Sequence, residues 1–364
     1  VENPEHGVRG MGVGDADNDG ELDLIWGAGW TSSGADHLYL TPVSRHQPTF
    51  TFPDYDGPYG AAPLQMDEDD ALELVIFTTG TNSGYGNSTH FVLDSLTGQQ
   101  ETDLHLDISS ASYYESWQIL LGNVDTDPGQ ELILSMGNDL YLFDHTGARL
   151  TKRSFSAGIT PRWVGDVDGD GELELVGHTS NRVTVHALAT LEYEWQSVMH
   201  SPGISDLDVG DVDGDGRMEI VFHGARSSVK AYDGQTHLLD WQMPAAQQAS
   251  GIAVGNADGA GNLEILVVEN STLKVYDGLT RALLHTGPNL GESSYQWDVN
   301  LVTMTFSPHP QLIVVGEGKA FLFRHSYDST PAQIVSGDVQ SLTTSDTDSD
   351  GHLDLLFGQS LGVM

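Results

Sequence analysis

The amino-acid sequence predicts an all-β fold made of repeated units, and three observations carry this prediction. An acidic phrase recurs along the 364 residues, short apolar runs of strand length surround each copy, and turn-forming residues are abundant, with 42 glycines and 14 prolines. So many chain-breaking residues argue against long helices, whereas a hydrophobic share of 38% is enough to bury a sizeable core. The sequence therefore favours many short strands joined by tight turns.

The acidic phrase occurs in four clear copies and several weaker ones. The clear copies read GDADNDGELDLIWG from Gly14, GDVDGDGELELVG from Gly165, GDVDGDGRMEIVFHG from Gly210 and SDTDSDGHLDLLFG from Ser345. Weaker copies begin at Gln65, Gly122 and Gly255. The last acidic residues of these copies are Asp23, Glu73, Glu131, Glu174, Glu219, Glu264 and Asp354. The final gap is twice the usual spacing, and Gln311 occupies the place of a further, decayed copy, which makes eight.

Each copy has the same surroundings, which supply four strands. A short apolar run precedes the acidic loop, a β-rich run such as LELVIF or EILVV follows it, and a third strand and a turn lead to a fourth strand. The preceding runs are Val8–Val13, Trp117–Leu121, Ile204–Val209 and Gly251–Val254. Four short antiparallel strands in each unit are typical of a β-propeller blade, whereas the units of a β-solenoid are shorter.

We therefore predict a single β-propeller domain over residues 1–364, with eight blades of four-stranded antiparallel sheets. The last copy keeps its first two strands and then stops, so we expect a last blade that is incomplete or closed by the N-terminus. A seven-bladed ring is the alternative. The predicted repeats span residues 8–56, 57–110, 111–157, 158–200, 201–245, 246–290, 291–332 and 333–364.

The charge balance argues against several kinds of partner. The chain has 53 acidic and 14 basic residues, a formal net charge of -39, and no cysteine. Binding to nucleic acid or to an anionic membrane needs clustered Lys and Arg, which are scarce here. Without cysteine there is no disulfide, thiol nucleophile or thiolate metal site. The sequence shows no signal-peptide pattern and no apolar run of about 18 residues, so we expect no membrane insertion in this segment.

The acidic phrase has the chemistry of a calcium loop. In D-x-D-x-D-G-x-x-D/E, side-chain oxygens fall at positions 1, 3, 5 and 9, and a backbone carbonyl is available at position 7. Calcium accepts roughly six to eight oxygen ligands in flexible geometry, whereas magnesium prefers fewer protein ligands and keeps its waters. Gly at position 6 allows the left-handed backbone that a sharp bend needs. Without a cation, the carboxylates of one loop would repel one another.

Numbered in chain order, the first, fourth, fifth and eighth loops have the full pattern. Their candidate ligands, with position 7 contributing its carbonyl, are Asp15, Asp17, Asp19, Glu21 and Asp23; Asp166, Asp168, Asp170, Glu172 and Glu174; Asp211, Asp213, Asp215, Arg217 and Glu219; and Asp346, Asp348, Asp350, His352 and Asp354. The second and third loops keep enough oxygen for weaker sites at Asp67, Asp69 and Glu73 and at Asn123, Asp125, Asp127 and Glu131. The sixth loop has Ala260 at position 5, and the seventh has no carboxylate and is expected to be metal-free. A single loop could be an Asp-rich surface turn, but four copies at the repeat period favour several Ca2+ ions.

The loop and its surroundings resemble the FG-GAP and VCBS repeat family, which includes the propeller heads of integrin α subunits. The resemblance covers nearly the whole chain and implies a β-propeller whose calcium loops join the first and second strands of a blade. It further implies that the ions are structural, that ligands bind on the opposite face or between blades, and that the protein is extracellular or at the cell surface, with a role in adhesion. The departures in the sixth and seventh copies concern only those two sites.

Aromatic and basic residues precede several first strands, on the face opposite the loops, where they would suit a protein or glycan partner. These candidate ligand-binding residues are Tyr113, Tyr114, Trp117, Arg162, Trp163, His200, Tyr295 and Trp297. The alternative for each tryptophan is that it fills a blade interface.

We expect a non-catalytic binding module, because the sequence has no H-E-x-x-H motif and no phosphate-binding Gly loop. A polysaccharide lyase that uses calcium and a lone base is the enzymatic alternative. A structural subunit of a surface layer or filament, which would self-assemble, is a second alternative.

Overall fold

The computed structural model consists of strands and their connections in all the residues that it describes. These residues are 8–14, 16, 19, 23–28, 37–42, 48, 50–54, 58–64, 73–78, 90–94, 100–103, 117–122, 131–144, 148–224, 227–243, 249–291, 297–302, 310–316, 318–336, 339–345, 354–359 and 362–363. No part of these ranges forms a helix, so none of them supplies an apolar helix of membrane-spanning length.

The first four sheets are formed by β1 (Val8–Gly14), β2 (Asp23–Ala28), β3 (His37–Pro42) and β4 (Phe50–Asp54); β5 (Pro58–Leu64), β6 (Glu73–Thr78), β7 (His90–Asp94) and β8 (Gln100–Asp103); β9 (Trp117–Gly122), β10 (Glu131–Met136), β11 (Asp139–Phe143) and β12 (Arg149–Ser154); and β13 (Thr160–Gly165), β14 (Glu174–His178), β15 (Val183–Ala187) and β16 (Tyr193–Gln196). The next three are formed by β17 (Asp206–Gly210), β18 (Glu219–His223), β19 (Lys230–Asp233) and β20 (Leu239–Gln242); β21 (Ala249–Gly255), β22 (Glu264–Glu269), β23 (Thr272–Asp277) and β24 (Leu283–Asn289); and β25 (Asp298–Val302), β26 (Gln311–Gly316), β27 (Lys319–Phe323) and β28 (Gln333–Ser336). The last sheet has three strands, β29 (Val339–Ser345), β30 (Asp354–Gln359) and β31 (Gly362–Val363).

Each sheet is an antiparallel meander whose strands pair in chain order. The first strands of neighbouring sheets contact one another, as β13 does with β17 and β17 with β21. The first strand of the last sheet, β29, contacts β1, so the last sheet lies against the first. Successive meanders packed through their first strands, with the end meeting the beginning, have the arrangement of a β-propeller.

In the third to sixth sheets, burial decreases from the second strand to the fourth. Every residue of β10, β14, β18 and β22 is buried, whereas most residues of β12, β16, β20 and β24 are exposed or half-buried. A second strand lies between two neighbouring sheets, so it needs apolar side chains on both faces, which explains sequences such as EILVVE. The fourth strand lies at the outer edge, where polar side chains are tolerated.

The hydrophobic core consists of layers between sheets. Val176 of the fourth sheet packs with Ile220 and Phe222 of the fifth, and Leu266 of the sixth sheet packs with Trp297 beside the seventh. The residues of these layers come mainly from the first three strands of each sheet, which the repeat pattern predicted. The spacing of the acidic loops along the sequence therefore corresponds to the spacing of sheets in the fold.

Carboxylates also join the first strands of neighbouring sheets. Asp206 of β17 accepts a hydrogen bond from the backbone N–H of Ile252 at 3.3 Å, and Asp208 accepts one from that of Val254 at 2.8 Å. Both N–H groups belong to β21. Arg162 of β13 in turn forms an ion pair with Asp206 at 3.1 Å. Two aspartates thus satisfy N–H groups on the edge of β21 that β22 does not use, and they link three consecutive sheets.

One predicted repeat boundary needs correction. The strand Gln333–Ser336 pairs with Lys319–Phe323 and belongs to the seventh sheet, although the boundary was placed at residue 332. Only Val335 of this strand is buried, so it carries too little apolar signal to be detected in the sequence. Each of the other predicted repeats encloses strands of one sheet only.

Three histidines are buried among the sheets in the neutral form. His178, His186 and His223 are at most 6% exposed, and burial lowers the pKa of each to about 4. His186 packs edge-on against Phe155, with ring centres 5.1 Å apart, and its Nδ1 lies 3.3 Å from the carbonyl oxygen of Leu191. A histidine in such an apolar position resists protonation because the charged form would lose its hydration.

We expect stability to fall on acidification because of these residues. The unfolded chain takes up a proton on His186 near its ordinary pKa of 6.5, but the folded chain does so only near 4, so stability is complete above 6.5 and is lost as the pH falls towards 4. Between pH 7.5 and 5 the loss is about 2 kcal/mol for one such histidine. The stability lost between pH 7.5 and 5, measured by urea unfolding of the calcium-loaded protein, should be about 2 kcal/mol smaller for His186→Leu than for the native chain, because His178 and His223 still contribute in the variant. The exposed His325→Leu variant should keep the native pH dependence; a His186→Leu variant that does so too would contradict the assignment.

Candidate metal centre

The fourth loop (166–174) and the fifth loop (211–219) each bring three carboxylates together. Each loop connects the first strand of its sheet to the second, β13 to β14 and β17 to β18. Carboxylate oxygens of Asp166, Asp168 and Glu174 all lie within 4.8 Å of one another. The fifth loop repeats this arrangement at positions 1, 3 and 9, with Asp211, Asp213 and Glu219.

Hydrogen bonds within the fourth loop determine its shape. Asp166 accepts hydrogen bonds from the backbone N–H of Gly169 at 2.7 Å and of Gly171 at 3.1 Å. Asp168 accepts one from the N–H of Asp170 at 3.1 Å. Gly169 and Gly171 have φ angles of +79° and +94°, a region that residues with a Cβ rarely adopt. The chain therefore curls around the side chain at position 1.

The fifth loop has the same hydrogen bonds at the same positions. Asp211 accepts from Gly214 at 2.8 Å and Gly216 at 3.0 Å, and the two glycines have φ angles of +75° and +90°. The left-handed glycine expected at position 6 is thus confirmed in both loops. The left-handed glycine at position 4 was not predicted, although G at that position in both GDVDGDG phrases was a visible signal.

The carboxylate at position 9 is the most deeply buried of each group. Glu174 is 0% exposed, and its Oε2 accepts a hydrogen bond from the backbone N–H of Val167 at 2.8 Å. Its Oε1 is buried without a hydrogen-bond donor among the described residues. Burial, with a smaller effect from Asp168, Glu194 and Asp170, raises the pKa of Glu174 to about 7. A buried carboxylate oxygen without a donor, next to two other carboxylates, fits a cation ligand.

Glu219 has a similar environment in the fifth loop. It is 2% exposed and its Oε2 accepts a hydrogen bond from the N–H of Val212 at 2.8 Å. Burial is again the main cause that raises its pKa to about 7, with Asp213 and Asp211 adding to the shift. The recurrence of this contact in two repeats indicates that it is a property of the loop.

The aspartates at position 5 lie outside these groups of three. Asp170 accepts a hydrogen bond from the N–H of Glu172 at 2.8 Å. Asp215 accepts one from the N–H of Arg217 at 3.0 Å and also forms an ion pair with the Arg217 guanidinium, which lowers the pKa of Asp215. These side chains therefore cap the second half of the turn, on the exposed side of the loop.

The sixth loop (256–264) has the same backbone conformation as the fourth and fifth loops but fewer carboxylates. Glu264 accepts a hydrogen bond from the N–H of Ala257 at 2.7 Å, and Asp258 accepts one from that of Ala260 at 2.7 Å. Gly259 and Gly261 are left-handed, with φ angles of +74° and +99°. The backbone geometry is thus retained although Ala260 replaces the aspartate at position 5. Among the described residues, only the fourth and fifth loops bring three metal-ligating side chains together.

Most of the other predicted ligands lie outside the described residues. Glu73, Glu131 and Asp354 begin the second strands of their sheets, as position 9 does in the fourth and fifth loops. Asp23 is 1% exposed and accepts a hydrogen bond from the N–H of Ala16 at 3.1 Å, the contact that Glu174 makes with Val167, and Asp19 is exposed. The predicted ligands outside the described residues are Asp15, Asp17, Glu21, Asp67, Asp69, Asn123, Asp125, Asp127, Asp346, Asp348, Asp350 and His352.

The fourth, fifth and sixth loops, which the structure describes, are each covered by a connection of the next sheet. The turn between β19 and β20 places Gly234 so close to Val167 of the fourth loop that an added Cβ would lie 2.3 Å from the Val167 carbonyl oxygen. Gly278 lies in the same way over Val212 of the fifth loop, at 2.4 Å. Over the sixth loop, Ser326 instead donates a hydrogen bond from its hydroxyl to the Ala257 carbonyl at 3.1 Å. The candidate metal loops therefore form part of the interfaces between sheets.

The candidate ligand-binding residues have mixed environments. Trp297 is 3% exposed in the core beside Phe321, which favours the interpretation that it fills a sheet interface. Trp163 is half-buried against the cluster between the fourth and fifth sheets, and Arg162 pairs with Asp206. His200 is half-buried, with its Nε2 3.1 Å from the hydroxyl of Tyr232. Tyr113, Tyr114 and Tyr295 lie outside the described residues, as does the side chain of Trp117 in β9.

Comparisons with known proteins agree with this geometry. Residues 166–222, which contain both complete carboxylate groups, match the model of the FG-GAP-like repeat. No relative is found among curated protein sequences. The predicted resemblance to FG-GAP repeats is thus confirmed over the fourth and fifth loops.

Solved structures with a similar fold share little sequence with this chain. Saccharomyces cerevisiae Sqt1 has a TM-score of 0.68 and 10% identity, over 100% of this chain and 97% of Sqt1. The computationally designed Ika8 protein has a TM-score of 0.59 and 14% identity, over 100% and 97%. BBS1N, in its crystal structure with ARL6DN, has a TM-score of 0.52 and 10% identity, over 87% and 92%.

These neighbours support the fold alone, at such low identity. They are β-propellers, so the predicted all-β propeller is confirmed, while the number of blades in the ring stays a prediction. Three observations support the same fold: the strand order of the sheets, the carboxylate groups of the fourth and fifth loops, and the family match. The chain is a β-propeller that carries an FG-GAP-like repeat at residues 166–222.

Proposed function

We propose that this protein is a calcium-stabilised, non-catalytic binding module that works outside the cell or at its surface. The observation that carries the calcium assignment is the environment of Glu174. Its carboxylate is fully buried, one oxygen has no donor among the described residues, and Asp166 and Asp168 lie within 4.8 Å. Such a group is costly when ionised and alone, and a divalent cation would remove that cost.

Calcium suits this donor set better than the alternatives. All candidate ligands are oxygens, with carboxylates at positions 1, 3 and 9 and carbonyls available from the curled backbone, and calcium accepts many oxygens in variable geometry. A transition metal would favour nitrogen or sulfur ligands, and none of the grouped side chains provides either. The ion's role is structural in this proposal, because each loop also contacts the turn of the next sheet.

The binding role rests on the fold and the family. FG-GAP repeats are typical of extracellular proteins, and they match residues 166–222 of this chain. Propeller neighbours occur in complexes with protein partners, as BBS1N does with ARL6DN. The carboxylates grouped by the loops serve as metal ligands in this proposal, so they are not free for acid–base chemistry. A protein partner is therefore the first expectation.

Glu174→Gln tests the calcium assignment directly. The glutamine keeps an acceptor for Val167 N–H but removes the negative charge, so calcium affinity at the fourth loop should fall at least tenfold. In chelator at pH 8 the variant should be at least as stable as the native chain, because the metal-free fold disfavours the ionised Glu174, whose pKa is about 7. Calcium titration calorimetry and urea unfolding measure the two quantities.

Glu172→Gln is the matched control for that experiment. It removes the same charge at position 7, where the side chain is exposed and only the backbone carbonyl is a candidate ligand. Its calcium affinity should stay within about threefold of the native value, the size of a surface-charge effect. Equal losses in both variants would mean that the loop attracts calcium by general charge and not by coordination through Glu174.

A further inference from the structure

Two cations at the boundary of the fourth and fifth sheets have no carboxylate partner among the described residues. Most of the other described cations do, as in the pairs Lys152–Asp139, Arg153–Glu192, Arg162–Asp206, Arg217–Asp233, Lys274–Glu269 and Arg281–Asp240. Arg182 forms its side-chain hydrogen bond with the Ser197 carbonyl, and the Lys230 ammonium has its polar contact with His200. In a chain with 53 acidic and 14 basic residues, unpaired bases are unexpected.

Both cations lie near His200, whose backbone N–H donates to the carbonyl of Asn181, next to Arg182, at 2.8 Å. The Lys230 Nζ is 3.5 Å from His200 Nδ1, and His200 Nε2 is 3.1 Å from the hydroxyl of Tyr232. Burial, then Lys230, then Arg182 lower the pKa of His200. The ring is thus neutral, with Nδ1 accepting from the ammonium and Nε2–H donating to the Tyr232 hydroxyl. Arg182, His200 and Lys230, the basic cluster, form a positive site on a strongly negative protein.

The basic cluster lies at the end of the sheets opposite the candidate calcium loops. β14 and β18 begin at the loops and end at His178 and His223. Arg182 follows the end of β14, just before β15, and Lys230 begins β19, paired with Phe222 near the end of β18. An anion bound here would therefore be as far from the loop carboxylates as the length of the sheets allows.

Exposed apolar side chains adjoin the basic cluster. Val198 and Met199 lie between Ser197, which accepts from Arg182, and His200, and they are 70% and 64% exposed. They are two of the three most exposed large apolar side chains among the described residues, with Leu238 at 69%. Exposed apolar side chains beside a positive site suit a peptide in which an acidic residue neighbours an apolar one. Sugar rings would favour aromatic stacking surfaces.

We propose that the basic cluster binds a side-chain carboxylate of a protein partner, with Val198 and Met199 packing against the neighbouring apolar residue. The free N–H groups of Arg182 and the Lys230 ammonium supply charge-assisted hydrogen bonds to the carboxylate. The bound carboxylate makes protonation of His200 more favourable. This proposal specifies the partner of the binding module proposed above and rests on that function.

The test follows the ring signals of His200 by NMR in the full, calcium-loaded chain. The probe is the capped dipeptide acetyl-Leu-Glu-amide, and His200→Gln identifies the signals. The peptide should shift them in a saturable way and raise the pKa of His200. Arg182→Gln and Lys230→Gln should each weaken binding at least fivefold, whereas Arg153→Gln, the same charge change at an exposed ion pair, should not.

Matched compounds separate the possible occupants. Acetyl-Leu-Gln-amide should bind at least tenfold more weakly, because it lacks the charge, and methyl glucuronate should also bind at least tenfold more weakly, because it lacks the aliphatic side chain. Glucuronate binding as tight as that of the peptide, no response of His200, or an equal loss in Arg153→Gln would each overturn the proposal.

Melting of the same samples with and without calcium distinguishes this proposal from the proposed function. Peptide binding without any calcium effect on melting would contradict the calcium assignment and support the basic cluster. Calcium stabilisation without peptide binding would support the calcium assignment and contradict the proposed role of the basic cluster.

Discussion

Removal of calcium should lower the melting temperature of this protein by about 7 °C for the fourth and fifth loops alone. A ligand at a hundredfold excess over its Kd stabilises the folded state by about 2.7 kcal/mol per site. Two sites therefore contribute about 5 kcal/mol, which corresponds to about 7 °C for a chain of 364 residues. Scanning calorimetry in calcium and in chelator measures the shift.

General charge screening must be separated from specific binding in that experiment. With a net charge of -39, the chain will gain stability from any salt, so the calcium and chelator samples need equal ionic strength. Magnesium at the same concentration should give a much smaller shift. The double variant Glu174→Gln with Glu219→Gln should lose the part of the calcium-dependent melting shift that these two loops contribute. A double variant that keeps the full calcium shift would show that the grouped carboxylates are not the binding site.

Gly278→Ala should destabilise the protein by about 3 kcal/mol or more, at the upper end of overpacking costs. An added Cβ would lie 2.4 Å from the carbonyl oxygens of both Leu263 and Val212, and backbone atoms cannot move aside as a flexible side chain can. The turn must therefore lift away from the fifth loop. Because Val212 also donates to Glu219, calcium affinity at that loop should fall together with stability.

Gly287→Ala is the matched control for this substitution. Gly287 lies in β24 of the same sheet, where an added Cβ would meet only the side chain of Leu273, at 3.2 Å. Its cost should be within about 1 kcal/mol, since a side chain can adjust by a few tenths of an ångström. Urea unfolding gives both values. If Gly278→Ala proved as stable as Gly287→Ala, the turn would not be seated on the loop.

The sequence predicted well those features that depend on residues close together in the chain. The acidic pattern located the loops, because positions 1, 3 and 9 of one short segment supply the carboxylates that group around Glu174 and Glu219. Position 6 predicted the left-handed Gly171 and Gly216, since only glycine adopts that backbone without strain. The apolar runs predicted the second strands because these are buried on both faces.

Features that join distant parts of the chain could not be predicted in this way. Gly234 and Gly278 look like ordinary turn glycines, and only the packing of one sheet on the next shows why no side chain fits. Arg182 and Lys230 are separated by more than a whole repeat, so no local pattern brings them to His200. Trp297, named as a candidate ligand contact, lies in the core. The sequence could not show this, because the position of a residue beside a strand does not reveal which way its side chain faces.

The aspartates beside β21 also restrict how a partner can dock. A peptide that binds by strand addition needs a row of free backbone N–H and C=O groups on a sheet edge. Asp206 and Asp208 already occupy the N–H groups of Ile252 and Val254 on that edge, which in a propeller faces the central channel. A visiting strand would have to displace two carboxylates to extend this sheet. Recognition on this side of the fifth and sixth sheets must therefore rely on side chains.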